Sequence, residues 1–300
     1  MSIFLFSLLF FSVCIVLLAS GIQLLLSNSK NSANRCFFSL VIALNFWSAG
    51  LALATSAQNV EICTLWRRIS ALGWGSAYAI LFHLILIMTG KTPQRIKWLA
   101  YFVLYLPALL TIFAFAIPNQ INPAPYELIQ TEFGWVNAGK DNIWDWIFYA
   151  YYVSYILIGL ILLFLWGNNA KDFTIKRNSR TVLLSVLFGI ILGSFTDVFL
   201  SSFFSRLPQM APVIMLIPIL SIYHVLKKNM LKENEQVTRK SSYANMIFSV
   251  TLYMMISFYQ YHLSNINFSL GSIQLQESTI RGIITQFQMF LSIYLVIREN

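Results

Sequence analysis

The stretch Leu65–Gly90 reads LWRRISALGWGSAYAILFHLILIMTG and decides the fold. At 1.5 Å per helical residue, about 20 residues cross the hydrocarbon core of a bilayer, so this stretch is long enough to span it. It nevertheless begins with Arg67 and Arg68 and carries an imidazole at His83. A helix that only anchored the chain in lipid would need none of these polar groups.

Small residues recur on one face of the same stretch, at Ser70, Gly73 and Ala77. Small side chains at this spacing allow a neighbouring membrane helix to approach closely. The pattern therefore predicts an inner helix of a bundle, with the other membrane helices packed around it.

The composition extends this interpretation to the whole chain. Hydrophobic residues make up 58% of it and charged residues 10%, whereas a soluble domain has about 25% charged residues. Several apolar runs exceed about 18 residues, and the alternating pattern of a membrane β-barrel is absent. We expect an all-α, polytopic transmembrane helical bundle.

Nine hydrophobic segments are predicted as crossings. The first has no basic region or small-residue cleavage site of a signal peptide. The first seven would form one domain at residues 1–232, and residues 233–300 would add a cytoplasmic basic linker and two further crossings. The segments are Ile3–Leu26, Cys36–Ala54, Leu65–Gly90, Ile96–Ile117, Ile143–Trp166, Thr181–Phe203, Pro208–Leu226, Tyr243–His262 and Thr279–Ile297.

The net charge of +9 is distributed in short loops, which argues for membrane orientation and against nucleic-acid binding. With the N-terminus outside and the C-terminus cytoplasmic, most Lys and Arg residues lie on the cytoplasmic side. We therefore expect a multi-pass protein of the plasma (inner) membrane. The outer side keeps Arg67, Arg68, Lys140, Arg206 and Arg281.

The search for enzyme chemistry is negative. The sequence contains no H-E-x-x-H, G-x-S-x-G, P-loop or Gly-rich dinucleotide motif. The cysteines Cys14, Cys36 and Cys63 show no paired spacing, so neither a disulfide framework nor a zinc site is supported. No catalytic residue, metal or cofactor is predicted, and the two halves show no repeat typical of a transporter.

The longest connection, residues 118–142, contains NPAPYELIQTEFGWVNAGKDN. Loops of this length in compact folds often act as lids or binding loops. Two readings stay open: a solvated linker, and a loop that folds back on the mouth of the bundle. The aromatic residues Tyr126, Phe133 and Trp135 favour the second.

Candidate ligand-facing residues come from several segments. Tyr152 and Tyr155 lie deep enough in the fifth helix to need hydrogen-bond partners. Asp197 in the sixth helix needs a partner, for which Arg67, Arg68 and Arg206 are candidates. Prolines in the fourth and seventh helices predict kinks and hinges at Pro107 and Pro218. The full candidate set is Arg67, Arg68, Trp74, His83, Trp135, Tyr152, Tyr155 and Asp197.

Together the first seven helices resemble the N-terminal seven-transmembrane sensor region of bacterial histidine kinases and related signalling proteins. The resemblance rests on LWRRISALGWG and LFHLILIMTG in the third helix, YLPALL in the fourth, and FGWV at Phe133–Val136. It also rests on the run from Arg177 through Gly189, Gly193, Thr196-Asp197 and Pro212 to IPILSIYHVLKKNML. It covers residues 1–232.

The resemblance implies a membrane receptor that senses a signal in its outer half and ends in a helix leading to a cytoplasmic output. Outputs in such proteins include histidine kinases and modules that make or degrade cyclic dinucleotides. No output signature occurs by Asn300, so we expect either a fragment of a longer protein or a receptor with a separate partner. Expected partners are the lipid bilayer, a small-molecule signal and an output domain, with a homodimer left open. A permease and a structural membrane subunit remain alternatives.

Overall fold

The structure, a computed structural model, describes residues 2–93, 97–138, 141–196, 208–231, 252–253, 256, 268–270 and 273–275. Within these ranges, long helices run alternately up and down and are followed by two shorter ones. The helices are α1 Ser2–Ser27, α2 Ser32–Thr55, α3 Val60–Met88, α4 Lys97–Phe115, α5 Ile143–Asn169, α6 Phe173–Ser194, α7 Ala211–Ile214 and α8 Leu216–Leu231.

Asn or Asp side chains fix the start of four helices. Asn31, Asn59, Asn142 and Asp172 each accept hydrogen bonds from backbone N–H groups in the first turn of α2, α3, α5 and α6. Those N–H groups have no partner inside the helix, so a side-chain oxygen stabilises the terminus. The Asp172 cap explains why α6 begins at Phe173, well before the predicted start near Thr181.

The helix enclosed most completely is α2, not α3. In the most apolar 18-residue window of α2, 72% of the residues are buried, against 44% in α3. The prediction that the helix of Leu65–Gly90 is an inner helix with the others packed around it therefore holds only in part, because α2 is the more enclosed of the two. That helix packs beside α2 and also contacts α4 and α5, and its apolar periodicity could not show which neighbour is more enclosed.

The predicted small face of α3 is where α2 approaches. A Cβ atom on Gly73 would lie 2.3 Å from the carbonyl oxygen of Ala43 and from the backbone nitrogen of Trp47. One turn away, Gly50 of α2 meets the backbone of Ser70, whose hydroxyl donates to the Trp47 carbonyl at 3.2 Å. The two backbones are close because no side chain separates them.

The last helix of the bundle is interrupted near a proline. Helix α7 ends at Ile214 and α8 begins at Leu216. Pro218 has no N–H to donate to Ile214, and its ring excludes that carbonyl, so the helix is interrupted at Met215, three residues before the ring. The ring packs against Gly189 of α6, where an added Cβ would lie 3.4 Å from the proline Cδ. The disturbance predicted at Pro218 is seen as the interruption at Met215, whereas α4 runs through Pro107 without one. The hinge function of both prolines stays a prediction.

Two short antiparallel hairpins accompany the helices. Strands β1 (Leu128–Thr131) and β2 (Gly134–Asn137) pair between α4 and α5, and β3 (Phe268–Leu270) pairs with β4 (Ile273–Leu275). Neither pair was predicted, because four or fewer residues carry too little alternation to identify a strand.

Six of the described segments are long and apolar enough to cross a membrane: α1 to α5, and Ala211–Lys228, which takes in α7 and most of α8. Helix α6 packs among them. The all-α, polytopic architecture is confirmed at this level. Most of the eighth and ninth predicted crossings, Tyr243–His262 and Thr279–Ile297, lie outside the described residues, so nine crossings and the orientation of the termini stay predictions. Leu252 and Ile256 of the eighth segment are buried in the main core.

Replacement of Gly73 by alanine should destabilise the bundle, because the new methyl group would meet the α2 backbone rather than a flexible side chain. We expect a cost of about 1–3 kcal/mol, the usual range for overpacking. The matched control is Gly193→Ala in α6, where a Cβ meets nothing within 4 Å. Unfolding midpoints of the two variants in detergent test this, and equal midpoints would contradict the proposed close approach.

Candidate functional site

The β1–β2 hairpin docks on one end of the bundle, which we call the hairpin end. Gly134 has φ of +113°, and a Cβ on it would lie 2.4 Å from Thr55 Cγ2 and 2.5 Å from the Thr55 carbonyl oxygen. The indole N–H of Trp135 donates to the carbonyl of Ala57 at 2.8 Å. The ring of Phe133 packs edge-on against Phe6 of α1, with centroids 5.7 Å apart. The loop therefore folds back on the bundle, as its aromatic residues favoured.

Arg67 lies beneath this hairpin and is 4% exposed. Its Nη2 donates to the carbonyl of Trp135 at 3.1 Å, and its Nη1 reaches the side-chain oxygen of Gln209 at 3.5 Å. The thiol of Cys63, one turn earlier in α3, lies beside it. Within the described part of the chain, the groups that contact this guanidinium are therefore neutral, an expensive arrangement for a buried charge.

Tyr126 connects the loop to α3 and α4 at the same end. Its hydroxyl lies 3.3 Å from the Arg67 carbonyl and 3.2 Å from the Phe115 carbonyl, and it donates toward both. Burial raises the pKa of this hydroxyl above its ordinary value, although the nearby charges of Arg67 and Arg68 act in the opposite direction. Tyr126 therefore stays protonated and available as a donor.

Hydrogen-bond donors without a partner collect at the hairpin end. Among the described residues, the buried atoms Arg67 Nε, Arg68 Nη1 and Asn122 Nδ2 have no acceptor within reach. Asn122 is 4% exposed, and its other side-chain atom, Oδ1, accepts from Asn142 at 3.4 Å. Buried polar groups in native structures nearly always have partners, so each orphaned donor needs an explanation.

An aromatic cluster adjoins these donors. Trp74 of α3 makes edge contacts with Phe115 of α4 and Phe148 of α5, at centroid distances of 5.1 and 4.6 Å. Tyr126 and Trp144 pack against the same cluster. This places the predicted Trp74 with Arg67, Arg68 and Trp135 at one end of the bundle.

Tyr151 of α5 inserts its hydroxyl into the backbone of α3. The oxygen accepts from the N–H of Ala79 at 2.8 Å and donates to the carbonyl of Gly75 at 3.2 Å. Those two groups are the i and i−4 partners of one α-helical hydrogen bond. An inserted side chain is a recognised cause of local helix distortion. The sequence analysis missed Tyr151, although it shares a face of α5 with the predicted Tyr155.

Tyr155 satisfies the backbone that Pro107 disturbs. Proline removes the N–H that would pair with the Val103 carbonyl and pushes neighbouring carbonyls outward. The Tyr155 hydroxyl donates to the carbonyl of Leu104 at 2.8 Å and lies 3.5 Å from that of Val103. The prediction that Tyr155 needs a partner inside the bundle is confirmed, but the partner is a backbone carbonyl. Tyr152 packs its ring against Tyr78 at 5.2 Å.

His83 does not join the hairpin end. Sixteen positions along α3 separate it from Arg67, which is about 24 Å in a helix. Its Nδ1 shares a hydrogen bond with the Tyr105 hydroxyl at 2.8 Å, and its ring lies 4.9 Å from that of Tyr101. Asp197 lies outside the described residues, so its pairing with an arginine stays a prediction.

Metal or cofactor ligands are not gathered here. Across the described ranges, no three His, Cys, Asp or Glu side chains form a set suited to a metal ion. The three cysteines are free thiols. What the hairpin end offers chemically is charge, hydrogen-bond donation and aromatic surface.

The fold and the site together define a multi-pass helical membrane protein with a polar site under a hairpin at one end of the bundle. The family profile described as the N-terminal 7TM region of histidine kinase matches residues 7–232. Because this is more than half of the chain, the protein belongs to that family. It is therefore a membrane sensor module, and the matched region is a non-catalytic part of histidine kinases. Searches of curated proteins and of solved structures give no match.

Replacement of Gly134 by alanine should lift the hairpin, because the residue needs a positive φ and lies against Thr55. We expect faster hydrogen–deuterium exchange in peptides that cover residues 128–137. Gly90→Ala is the matched control, since Gly90 also has a positive φ, +68°, but a Cβ there meets nothing within 4 Å. Unchanged exchange in Gly134→Ala would show that the hairpin does not depend on this contact.

Replacement of Tyr155 by phenylalanine should cost about 1–3 kcal/mol, because it removes the hydroxyl that bonds the Leu104 carbonyl and lies within reach of the Val103 carbonyl, which Pro107 leaves without a helical donor. In a Pro107→Ala background the restored N–H reduces the need for the hydroxyl, so the same substitution should cost clearly less. A double-mutant cycle on the free energy of unfolding measures this coupling. Tyr149→Phe, which removes a surface bond to Asp141, is the control. Equal costs in both backgrounds would contradict the link to Pro107.

Proposed function

We propose that this chain is a receptor module that binds a small extracytoplasmic ligand at the hairpin end. The rearrangement that follows would pass to a cytoplasmic signalling output of the kinase or cyclic-dinucleotide type. The family supports the sensor class. The charge distribution of the loops supports a plasma (inner) membrane location with the hairpin end outside.

One observation carries the proposal. The guanidinium of Arg67 contacts the hairpin through the Trp135 carbonyl and also contacts Gln209, which lies just before α7. A single buried side chain therefore joins the covering loop to the start of the last helix. A ligand that changes the position of this guanidinium acts on both elements at once.

The path from Gln209 continues along α7 and α8. The interruption at Met215 separates the two helices, which stay linked through backbone hydrogen bonds of Met215 to Ala211 and Ile219. Pro218 packs on Gly189 and supplies no N–H of its own. An interrupted helix bends with less resistance than a continuous one. Movement at Gln209 can therefore change the direction of α8 at this interruption.

A polar cluster joins α8 to α1 at the opposite end of the bundle, where the movement of α8 would act. The Tyr223 hydroxyl of α8 bonds the side-chain oxygen of Gln23 in α1, and Lys227 Nζ lies 3.1 Å from the same hydroxyl. The ring of Tyr223 also lies 6.4 Å from that of Phe37 in α2. This cluster gives α8 one defined position against α1, which a signal would exchange for another.

Two other functions make different predictions. A permease would move a substrate across sealed vesicles, and a structural subunit would hold one conformation whatever happens at the hairpin. The link through Arg67 favours the receptor, because it gives the hairpin a direct contact with the last helix.

The test is coupling across the bundle in the full chain, reconstituted in lipid nanodiscs. Spin labels at Ser29→Cys and His224→Cys, both exposed, report the position of α8 against the end of α1. Release of the hairpin by Gly134→Ala should shift this distance distribution, while Gly90→Ala should leave it unchanged. An identical distribution in all three proteins would favour the structural-subunit function and contradict the receptor.

A further inference from the structure

The orphaned donors at the hairpin end indicate which ligand the receptor takes, an inference that rests on the proposed function. Four buried side-chain nitrogen or oxygen atoms in the described part of the chain have no hydrogen-bond partner. Three are N–H donors at the hairpin end: Arg67 Nε, Arg68 Nη1 and Asn122 Nδ2. The fourth, Asn45 Oδ1, lies within α2. The imbalance calls for a ligand that accepts hydrogen bonds.

The charges around the Tyr126 hydroxyl are also unbalanced. Tyr126 lies close enough to Arg67, Arg68 and Asp145 for all three charges to act on its hydroxyl. The Asp145 carboxylate accepts from the backbone N–H of Asn142 at 2.8 Å, within the capping box of α5. Among the described residues whose charges act on this hydroxyl, two guanidinium groups face one carboxylate, which is already used as a cap.

Apolar surface lies beside Tyr126, at the same end of the bundle as these donors. The rings of Trp74, Phe115, Phe148 and Trp144 form the cluster against which Tyr126 packs. A bare inorganic anion would gain nothing from these rings, whereas a molecule with a flat apolar body would. A planar carboxylate also matches the geometry of a guanidinium better than a spherical anion does.

We propose that the ligand is a small monocarboxylate with an aromatic body, held through its carboxylate by Arg68 and Arg67 under the hairpin. Arg68 supplies the primary contact, because its buried Nη1 has no acceptor among the described residues. Arg67 then transmits the binding event, since it already holds the hairpin and Gln209.

The experiment measures thermal unfolding of the full chain in detergent with a thiol-reactive fluorophore. The assay suits this protein because Cys14 and Cys63 are buried and react on unfolding. The probes are benzoate and phenylacetate, each compared with its neutral amide. We expect the carboxylates to raise the midpoint in a saturable way and the amides to leave it unchanged.

Variants assign the effect to the site. Arg68→Gln should lower the apparent affinity at least tenfold, and Arg68→Lys, which keeps the charge but loses the planar fork, should lower it less. The control Arg180→Gln removes an exposed arginine of α6 and should bind as the parent does. If Arg68→Gln does not fold, Asn122→Ala provides the second test and should also weaken binding.

Several results would overturn the proposal: no stabilisation by either carboxylate, equal stabilisation by acid and amide, or full retention in Arg68→Gln and Asn122→Ala. The spin-label distances separate this failure from failure of the receptor itself. Hairpin-dependent distances without carboxylate binding would leave the receptor standing and reject the ligand class. Carboxylate binding with unchanged distances would leave the ligand site standing and reject the receptor.

Discussion

The arrangement at the hairpin end depends on one buried charge, the guanidinium of Arg67, whose partners among the described residues are neutral. A cation out of water is tolerable only when its donors find oxygen atoms. The Trp135 carbonyl supplies one, which fixes the hairpin on the bundle, and Gln209 supplies another, which fixes the segment before α7. The cost of burying this charge thus determines where two otherwise separate segments lie.

Tyrosine hydroxyls stabilise the interior of the bundle in a second way, by hydrogen bonding to the backbone of neighbouring helices. Helices in a membrane cannot leave backbone groups unpaired, because no water is present to satisfy them. Tyr155 donates to a carbonyl near Pro107, and Tyr151 bridges Gly75 and Ala79 within α3. Both come from one face of α5. This helix therefore maintains the hydrogen bonding of α3 and α4, and removal of either hydroxyl affects a neighbouring helix rather than its own.

Some of the residues predicted as candidate ligand contacts lie together in the structure. Arg67, Arg68 and Trp135 meet at the hairpin end because the residues flanking the crossings share one side of the membrane. The distance along the helix between Arg67 and His83 is enough to show, from the sequence alone, that His83 lies apart from this group. Gln209 and Asn122 were missed, because neither belongs to an apolar period or a motif. Their importance arises from contacts between segments distant in the chain, and no local pattern records those contacts.

By itself the sequence determined the class of protein, the approximate helix positions, the close approach at Gly73 and the break near Pro218. These follow from local quantities: apolar length, side-chain size and the missing N–H of proline. Only the tertiary structure decided that α2 is the most enclosed helix and that the hairpin covers Arg67. It also revealed which buried donors lack partners. The physical reason is that enclosure and hydrogen-bond satisfaction depend on which surfaces meet, and periodicity describes only one surface at a time.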